Sequence, residues 1–557
     1  MTNTKSGKAA ILVLLACILI TGVVLRARGI DWGLPHEGYY FSYKSDENIY
    51  IRTIGGFDPS RLDFNPHFFY WGAWHFYELA AALKVADLAG FIQAVPEKSY
   101  YREHPEELAK IYLTGRYLSV LYSVLTVVLV FFIGRRFCSS AVGLLAACIL
   151  ALMPAHVVNS HYLKADAAVT FWIALGLLAS GLVMTRGKLW HYIFAGFALG
   201  MAAGTQFNGM PFAHAILLAH FFQTEESYRF KVLVKKALSG KLLAGYATIV
   251  LTYLATNPYV VLAYNEARPV LIELFTRPSI TNAEPRSDLV LDTLRIFAVG
   301  LTWPWVILAL VSILSLLLFR KRFTLLLFSF ALPCLGYMVI QGNLATRLQM
   351  ILFPALCILM AQVIVNLAMA KPVRRSSVLR SVLIGIAVAC ASYVLCYTWS
   401  YLEVFKAEPR QDTASEWMLE TIPPGSIIGT IEQPYIEKSP TVVHQDYFYK
   451  ETDSWTGTYH VTVIGEDSSE LSAVNPDVFI LSVRDGFLGP QGYADNMGES
   501  KKALFAALTR DYRVMKSFGM RQTLWGVDIT PKKTVLSDWH LPLYDIHILK
   551  RNDSEKH

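Results

Sequence analysis

Long apolar runs broken by short polar stretches dominate the first four hundred residues. A window of about 20 apolar residues marks a membrane span. The pattern predicts about eleven, at 9–27, 113–133, 140–157, 167–185, 190–206, 209–222, 242–262, 295–319, 323–341, 348–368 and 379–401. The basic residues give an independent check. Arg135 with Arg136, Arg186 with Lys188, the 229–241 loop, Arg320 to Arg322 and Lys371 to Arg380 all fall in alternate connections. With the first residues inside the cell, each of those loops is cytoplasmic, as the excess of Lys and Arg on that side requires.

The other loops then face outward: 29–110, 158–166, the 206–208 turn, 263–295 and 341–347. From Glu403 onward the pattern changes, and charged residues, Pro and Gly become common. Short β-like runs occur at 426–429, 442–443, 460–464, 478–483 and 546–549, with helical stretches near 407–420 and 501–509. The expected organisation is a polytopic α-helical membrane domain over 1–402 and a small outer α/β domain over 403–557. The first outer loop is too long for a plain connector. Its 66–94 segment is aromatic-rich and suits a helix lying at headgroup level, for packing or for gating.

Composition agrees with this organisation. Of 557 residues 54% are hydrophobic and 17% charged, and mean hydropathy is +0.38. A net charge of +7 fits basic cytoplasmic loops and needs no nucleic-acid partner. The seven cysteines show neither a CxxC pair nor a zinc pattern. The N-terminal apolar run reads as an uncleaved first helix, since Arg26 and Arg28 follow it without a small-residue cleavage site.

Ionisable groups near the ends of spans are costly unless paired or hydrated. Asp46 and Glu47 stand together in the first outer loop. Asp166 opens the fourth span, just after His161 and Lys164. Arg116 lies near the outer end of the second span, Arg347 before the tenth, and Gln206 and Asn208 after the fifth. All fall on one face, so a single cleft of carboxylates and cations is the simplest joint explanation. Each has a plainer reading: Arg116 snorkels to headgroups, Asp166 caps a helix, and His161 and Lys164 are loop residues. His36, His67 and His75 read either as metal ligands or as structural histidines.

Several segments together resemble the GT-C class of polytopic glycosyltransferases, in the superfamily of dolichyl-phosphate-mannose protein mannosyltransferases and aminoarabinose transferases. They are the Asp46-Glu47 pair, the 65–70 run NPHFFY, Gly115-Arg116, the loop from His161 to Asp166, the 200–209 stretch GMAAGTQFNG, the 347–354 helix start and the 412–426 stretch. The pattern departs where relatives carry lysine, here Asn65 and Gln206, and where His67 replaces a proline. The resemblance implies an inverting transfer of a hexosyl or pentosyl group from a polyprenyl-phosphate donor. The acceptor hydroxyl would be on a protein, lipid or glycan, at the outer face of the inner or plasma membrane. It implies catalytic work for Asp46, with Glu47 and Asp166 orienting groups around it. Donor phosphate would fall to Arg347, Arg116, Lys164 and His161, and substrate contacts to Asn65, His67, Tyr70, Gln206 and Asn208. No metal ligand is assigned, although relatives leave a divalent metal open. A lipid or sugar transporter would instead place polar groups at the midplane of repeated halves. A membrane-anchored binding protein would need far fewer spans.

Overall fold

The computed structural model describes residues 5–223, 237–276, 289–314, 322–341, 345–448, 457–483, 499–531, 539, 543 and 545–552. Parts of the basic loops at 229–241 and 320–322, and of the outer loops at 263–295 and 341–347, lie outside the described residues. The chain forms two compact units. The helical unit comprises 1–30 and 46–402, and the sheet unit comprises 31–45 and 403–557.

The apolar segments of the helical unit fold as helices. They include α1 (Lys5–Ala27), α4 (Pro105–Phe137), α5 (Ser140–Leu152), α6 (Pro154–Asn159), α7 (Ala165–Arg186), α8 (Leu189–Thr205), α9 (Gly240–Thr256), α11 (Phe353–Met369) and α12 (Ser377–Val404). Among the described residues five helices are long and apolar enough to cross a membrane, or six if the bent pair at 293–314 is one span. The short segment at 209–222 is broken, with a 3-10 turn at Phe207–Ala213 before a helix at His214–Phe221. A small residue lets the loop before α7 approach α4 closely. At Gly115 on α4 an added Cβ would stand 2.6 Å from the Leu163 side chain. The last turn of α1 carries a buried Arg26, which donates to the Gly22 and Ala151 carbonyls at 2.9 and 3.1 Å. The Ala151 carbonyl is one of the last four of α5, which lack a partner within that helix.

Two elements of the first loop differ from the sequence pattern. Asp46 and Glu47 are not in irregular loop but in the first turn of α2 (Ser45–Ile54). The 66–94 segment is helical only over α3 (Trp74–Leu88).

The sheet unit has five strands in its main sheet: β1 (Ile427–Thr430), β2 (His460–Val463), β3 (Val478–Val483), β4 (Tyr512–Phe518) and β5 (Asp545–Arg551), in the order β2-β1-β3-β5-β4. β1 runs parallel to β2 and β3, while β5 is antiparallel to β3 and β4. Alternate side chains of β3 enter two separate cores. Val478 and Ile480 join Met418 and Val443 on one face, and Phe479 and Leu481 join Leu504 and Leu508 on the other. The period of two thus buries both faces under helices. Those helices include α13 (Arg410–Thr421), α14 (Thr441–Phe448), α15 (Ser468–Val474) and α16 (Glu499–Asp511). Val442 and Val443, expected in a strand, lie in α14. The first-turn N–H of Val442 is taken by Ser415 Oγ at 3.1 Å, and both valines are buried, so packing overrides the β preference of the pair.

Candidate functional site

The site starts from the geometry of α2. Adjacent residues on a helix point about 100° apart, while residues three or four apart share a face. Glu47 and Tyr50 therefore turn inward together, and Asp46 leaves in another direction. Both acids sit in the first turn, where the helix dipole favours negative charge.

Glu47 is completely buried. Arg116 donates to its two oxygens from Nε at 3.0 Å and Nη2 at 2.7 Å, and the Leu163 N–H adds a bond of 2.6 Å. Arg116 Nη1 donates to the Ile30 carbonyl at 2.7 Å. One ion pair thus joins α2, α4, the end of α1 and the loop before α7. Asp46 pairs with Lys164 at 2.5 Å, and its side chain stays 28% exposed against 0% for Glu47. Lys164 is the residue before α7, in extended backbone, so the loop that carries it also carries the N-terminus of that helix.

Tyr50 completes the corner, accepting from the Ala165 N–H at 3.1 Å. Burial holds its phenol well above the usual range, and the nearby Asp166, Asp46 and Glu78 push the same way, so the hydroxyl stays protonated. Trp71 stacks on its ring at 5.2 Å, which brings the 65–71 run to α2. Asp166 is buried in the first turn of α7.

His161 is buried with Nδ1 2.9 Å from the Val157 carbonyl and Nε2 3.0 Å from the Arg28 carbonyl. Burial draws its pKa down to about 4, against the pull of the two carbonyls. The imidazole thus links two backbone segments. The enclosed Arg116 is likewise committed to Glu47. Of the other two groups expected at a phosphate, Lys164 pairs with the part-exposed Asp46. Arg347 lies half-buried in the 3-10 turn Thr346–Leu352, which packs on α6 and α7.

The expected substrate residues form an adjoining group. Asn65 and His67 reach Glu266 on α10 (Tyr264–Thr276), His67 Nδ1 at 2.7 Å, and the Tyr70 hydroxyl donates to Glu273 at 2.9 Å. His67 has a positive φ of 46°. Gly72 touches the end of α8 so closely that a Cβ would stand 2.2 Å from the Gly204 carbonyl. Asn257 clamps this approach, accepting from the Ala73 N–H at 2.7 Å and donating to Gly204 at 3.2 Å. Just beyond Gly204, Gln206 Oε1 and both polar side-chain atoms of Asn208 are buried without a hydrogen-bond partner among the described residues. Such atoms cost about 1–3 kcal/mol each, which marks a place prepared for polar contact.

Sequence reasoning missed Tyr50, Glu266, Glu273 and Asn257. Tyr50 was within reach, because it follows Glu47 by three residues on one helix face. No group of three or more His, Cys, Asp or Glu that could hold a metal ion occurs among the described residues.

The described residues thus form a bundle of apolar helices that carries paired carboxylates and cations. Within it, residues 73–264 match the model of the dolichyl-phosphate-mannose-protein mannosyltransferase family, the superfamily that the motifs resemble. No curated protein sequence matches the chain. Among solved structures, the chain is similar to ArnT from Cupriavidus metallidurans bound to undecaprenyl phosphate, at 11% identity over 98% of both chains with a TM-score of 0.49. It is also similar to the oligosaccharyltransferase AglB from Archaeoglobus fulgidus, solved with an inhibitory peptide and a dolichol-phosphate, at 12% identity over 94% of this chain and 76% of that one, TM-score 0.48. The Pmt1-Pmt2 complex of S. cerevisiae, bound to the sugar donor, is 19% identical over 48% of this chain and 35% of that one, TM-score 0.33.

Proposed function

We propose that the protein transfers a hexosyl or pentosyl group, with inversion, from a polyprenyl-phosphate-linked donor to an acceptor hydroxyl at the outer face of the cell membrane. Asp46 is the general base. The observation that carries this is the contrast between two neighbouring acids: Glu47 is sealed with Arg116, while Asp46 keeps a solvent-reachable carboxylate beside Lys164. A base must reach the proton that it removes.

In the reaction the acceptor oxygen attacks the anomeric carbon as its proton passes to Asp46. The bond from that carbon to the phosphate oxygen breaks, and its electron pair stays on the leaving phosphate. Lys164 and Arg347 meet that charge. A phosphate arriving at Lys164 competes for its ammonium and frees lone pairs on Asp46 for the acceptor. Glu47 and Arg116 hold α2 against α4, and Asp166 orients the loop that carries Lys164. Gln206, Asn208, Asn65, His67 and Tyr70 contact the substrates. The donor's tail stays in the bilayer, and 403–557 lies on the outer side.

The test is transfer of radiolabelled sugar from a polyprenyl-phosphate donor in membranes holding the protein. Asp46→Asn is expected to lower turnover by about 100-fold or more while the protein remains in the membrane. Near-normal transfer by that variant sinks the assignment.

A further inference from the structure

The end of α7 remote from Asp166 gathers cations that the proposed reaction does not use. Arg186 closes α7, Lys188 precedes α8, and Lys241 is in the first turn of α9. Lys241 Nζ donates to the Gly187 carbonyl at 2.9 Å, which draws the start of α9 onto the α7–α8 connection. All three cations are exposed, and none pairs with an acid among the described residues.

His191, in the first turn of α8, is completely buried beside them. Its Nδ1 accepts from the Lys188 N–H at 3.1 Å, so the proton of the neutral ring is on Nε2. That Nε2 is buried without a hydrogen-bond partner among the described residues. The charges of Arg186 and Lys188 both act on the same ring. Every group named here is a donor or a cation, and the N-terminus of α8 adds its dipole in the same sense. A buried donor is costly while unmet, and an acceptor with negative charge answers all of them at once.

Apolar surface runs on from this corner. Trp190, Ile193 and Phe197 are exposed, and their spacing of three and four residues puts them on one face of α8. Leu243, Val250 and Leu254 are exposed on α9 at spacings of seven and four. The two helices touch, since a Cβ on Gly196 would stand 2.3 Å from the Gly245 carbonyl. Charge at the corner and hydrocarbon along the helices match an anion with apolar tails, whereas a free anion matches the corner alone. Asp166 and Arg186 are 20 residues apart on α7, a candidate span. That is about 30 Å of helix, the thickness of a bilayer's hydrocarbon core, so the corner belongs to the leaflet opposite Asp166.

We propose that this corner binds the headgroup of an anionic glycerophospholipid, with the acyl chains against the exposed faces of α8 and α9.

The test titrates fluorescent phosphatidylglycerol and fluorescent phosphatidylcholine into the purified full chain in a neutral detergent. One basic residue near an anionic lipid contributes about five-fold to binding, so phosphatidylglycerol is expected to bind about 10-fold or more tightly than phosphatidylcholine. The double variant Lys188→Gln/Lys241→Gln weakens phosphatidylglycerol by about 10-fold or more and leaves phosphatidylcholine within about two-fold. Lys188→Gln alone, which keeps the Lys241 bond to Gly187, loses about five-fold. The control Lys371→Gln/Arg374→Gln removes two exposed cations of another connection and binds as the parent does. Equal affinity for the two lipids overturns the proposal. So does an equal loss in the control, which would make the attraction a property of the whole basic surface. Inorganic phosphate displacing phosphatidylglycerol at equal concentration overturns the role of the acyl chains. Tighter binding of polyprenyl phosphate than of phosphatidylglycerol to the same corner overturns the choice of a glycerophospholipid.

Discussion

Arg116→Met isolates the ion pair on which the site is built. The methionine keeps most of the apolar stem of arginine, so packing changes little. What changes is the company of Glu47. It loses donors at 3.0 and 2.7 Å and keeps the Leu163 N–H at 2.6 Å, with its side chain at 0% exposure. Two hydrogen bonds to a charged group contribute about 1.5–3 kcal/mol each. Breaking one side of a buried pair costs about 3–5 kcal/mol by direct comparison with other proteins. The two routes agree on about 4 kcal/mol. At about 2–4 °C per kcal/mol for a domain of a few hundred residues, melting falls by about 8–16 °C. The assay is thermal unfolding of the purified protein in one detergent, for R116M, Glu47→Gln and the double variant. The double variant removes both charges and leaves the glutamine oxygen on Leu163. It is expected to recover about 2 kcal/mol relative to the sum of the single losses. Strict additivity, or an R116M that melts with the parent, refutes the claim that this pair holds α2 to α4.

Two further outcomes are expected. Lys164→Gln and Arg347→Gln each raise KM for the polyprenyl-phosphate donor by about 10-fold with melting nearly unchanged, measured in the transfer assay; unchanged donor kinetics in both removes them from the phosphate. In the sheet unit, His444 packs edge-on or tilted against Tyr39, Phe41 and Phe448, and burial draws its pKa down to about 4. A base held neutral by the fold contributes fully above its unfolded value near 6.5, and that contribution is lost as pH falls towards 4. The slope is about 1.4 kcal/mol per pH unit across that window. His36, raised by its bond to Asp412, works in the opposite sense, but it is largely exposed. His444→Phe is therefore expected to flatten the fall in melting temperature between about pH 7 and pH 5, and an unaltered profile contradicts this account.

The helical elements were legible because lipid and core both demand apolar surface, and among the described residues most of each apolar segment is helical. The central strands were legible for the same reason, since β3 is apolar on both faces. β4 was not: Arg513, Lys516 and Ser517 leave it largely exposed at the sheet edge, and a bulge between Val514 and Lys516 breaks its alternation. The sharper failure is α2. Its inward face carries Glu47, Tyr50 and Thr53, so a search for apolar periodicity finds no stripe. A helix that buries polar groups is invisible to that signal, and here those groups make the site. Glu266 and Asn257 were hidden for another reason. They meet Asn65 and Ala73 across about two hundred residues, and nothing local in either segment announces the partner.

The same geometry explains how two adjacent acids acquire different work. Side by side in sequence, Asp46 and Glu47 have nearly the same intrinsic chemistry. Helical rotation sends the longer one under α4, where its reach lets it hold a guanidinium and a backbone N–H together. The shorter one stays at the rim with Lys164. Exchanging burial for accessibility is then a matter of one helical step. The cation count follows the same logic: a sealed carboxylate needs a sealed arginine, whereas a reactive carboxylate is served by a lysine that can be shared with an incoming anion. On the proposed mechanism, Arg116 therefore neutralises the scaffold and Lys164 serves the chemistry.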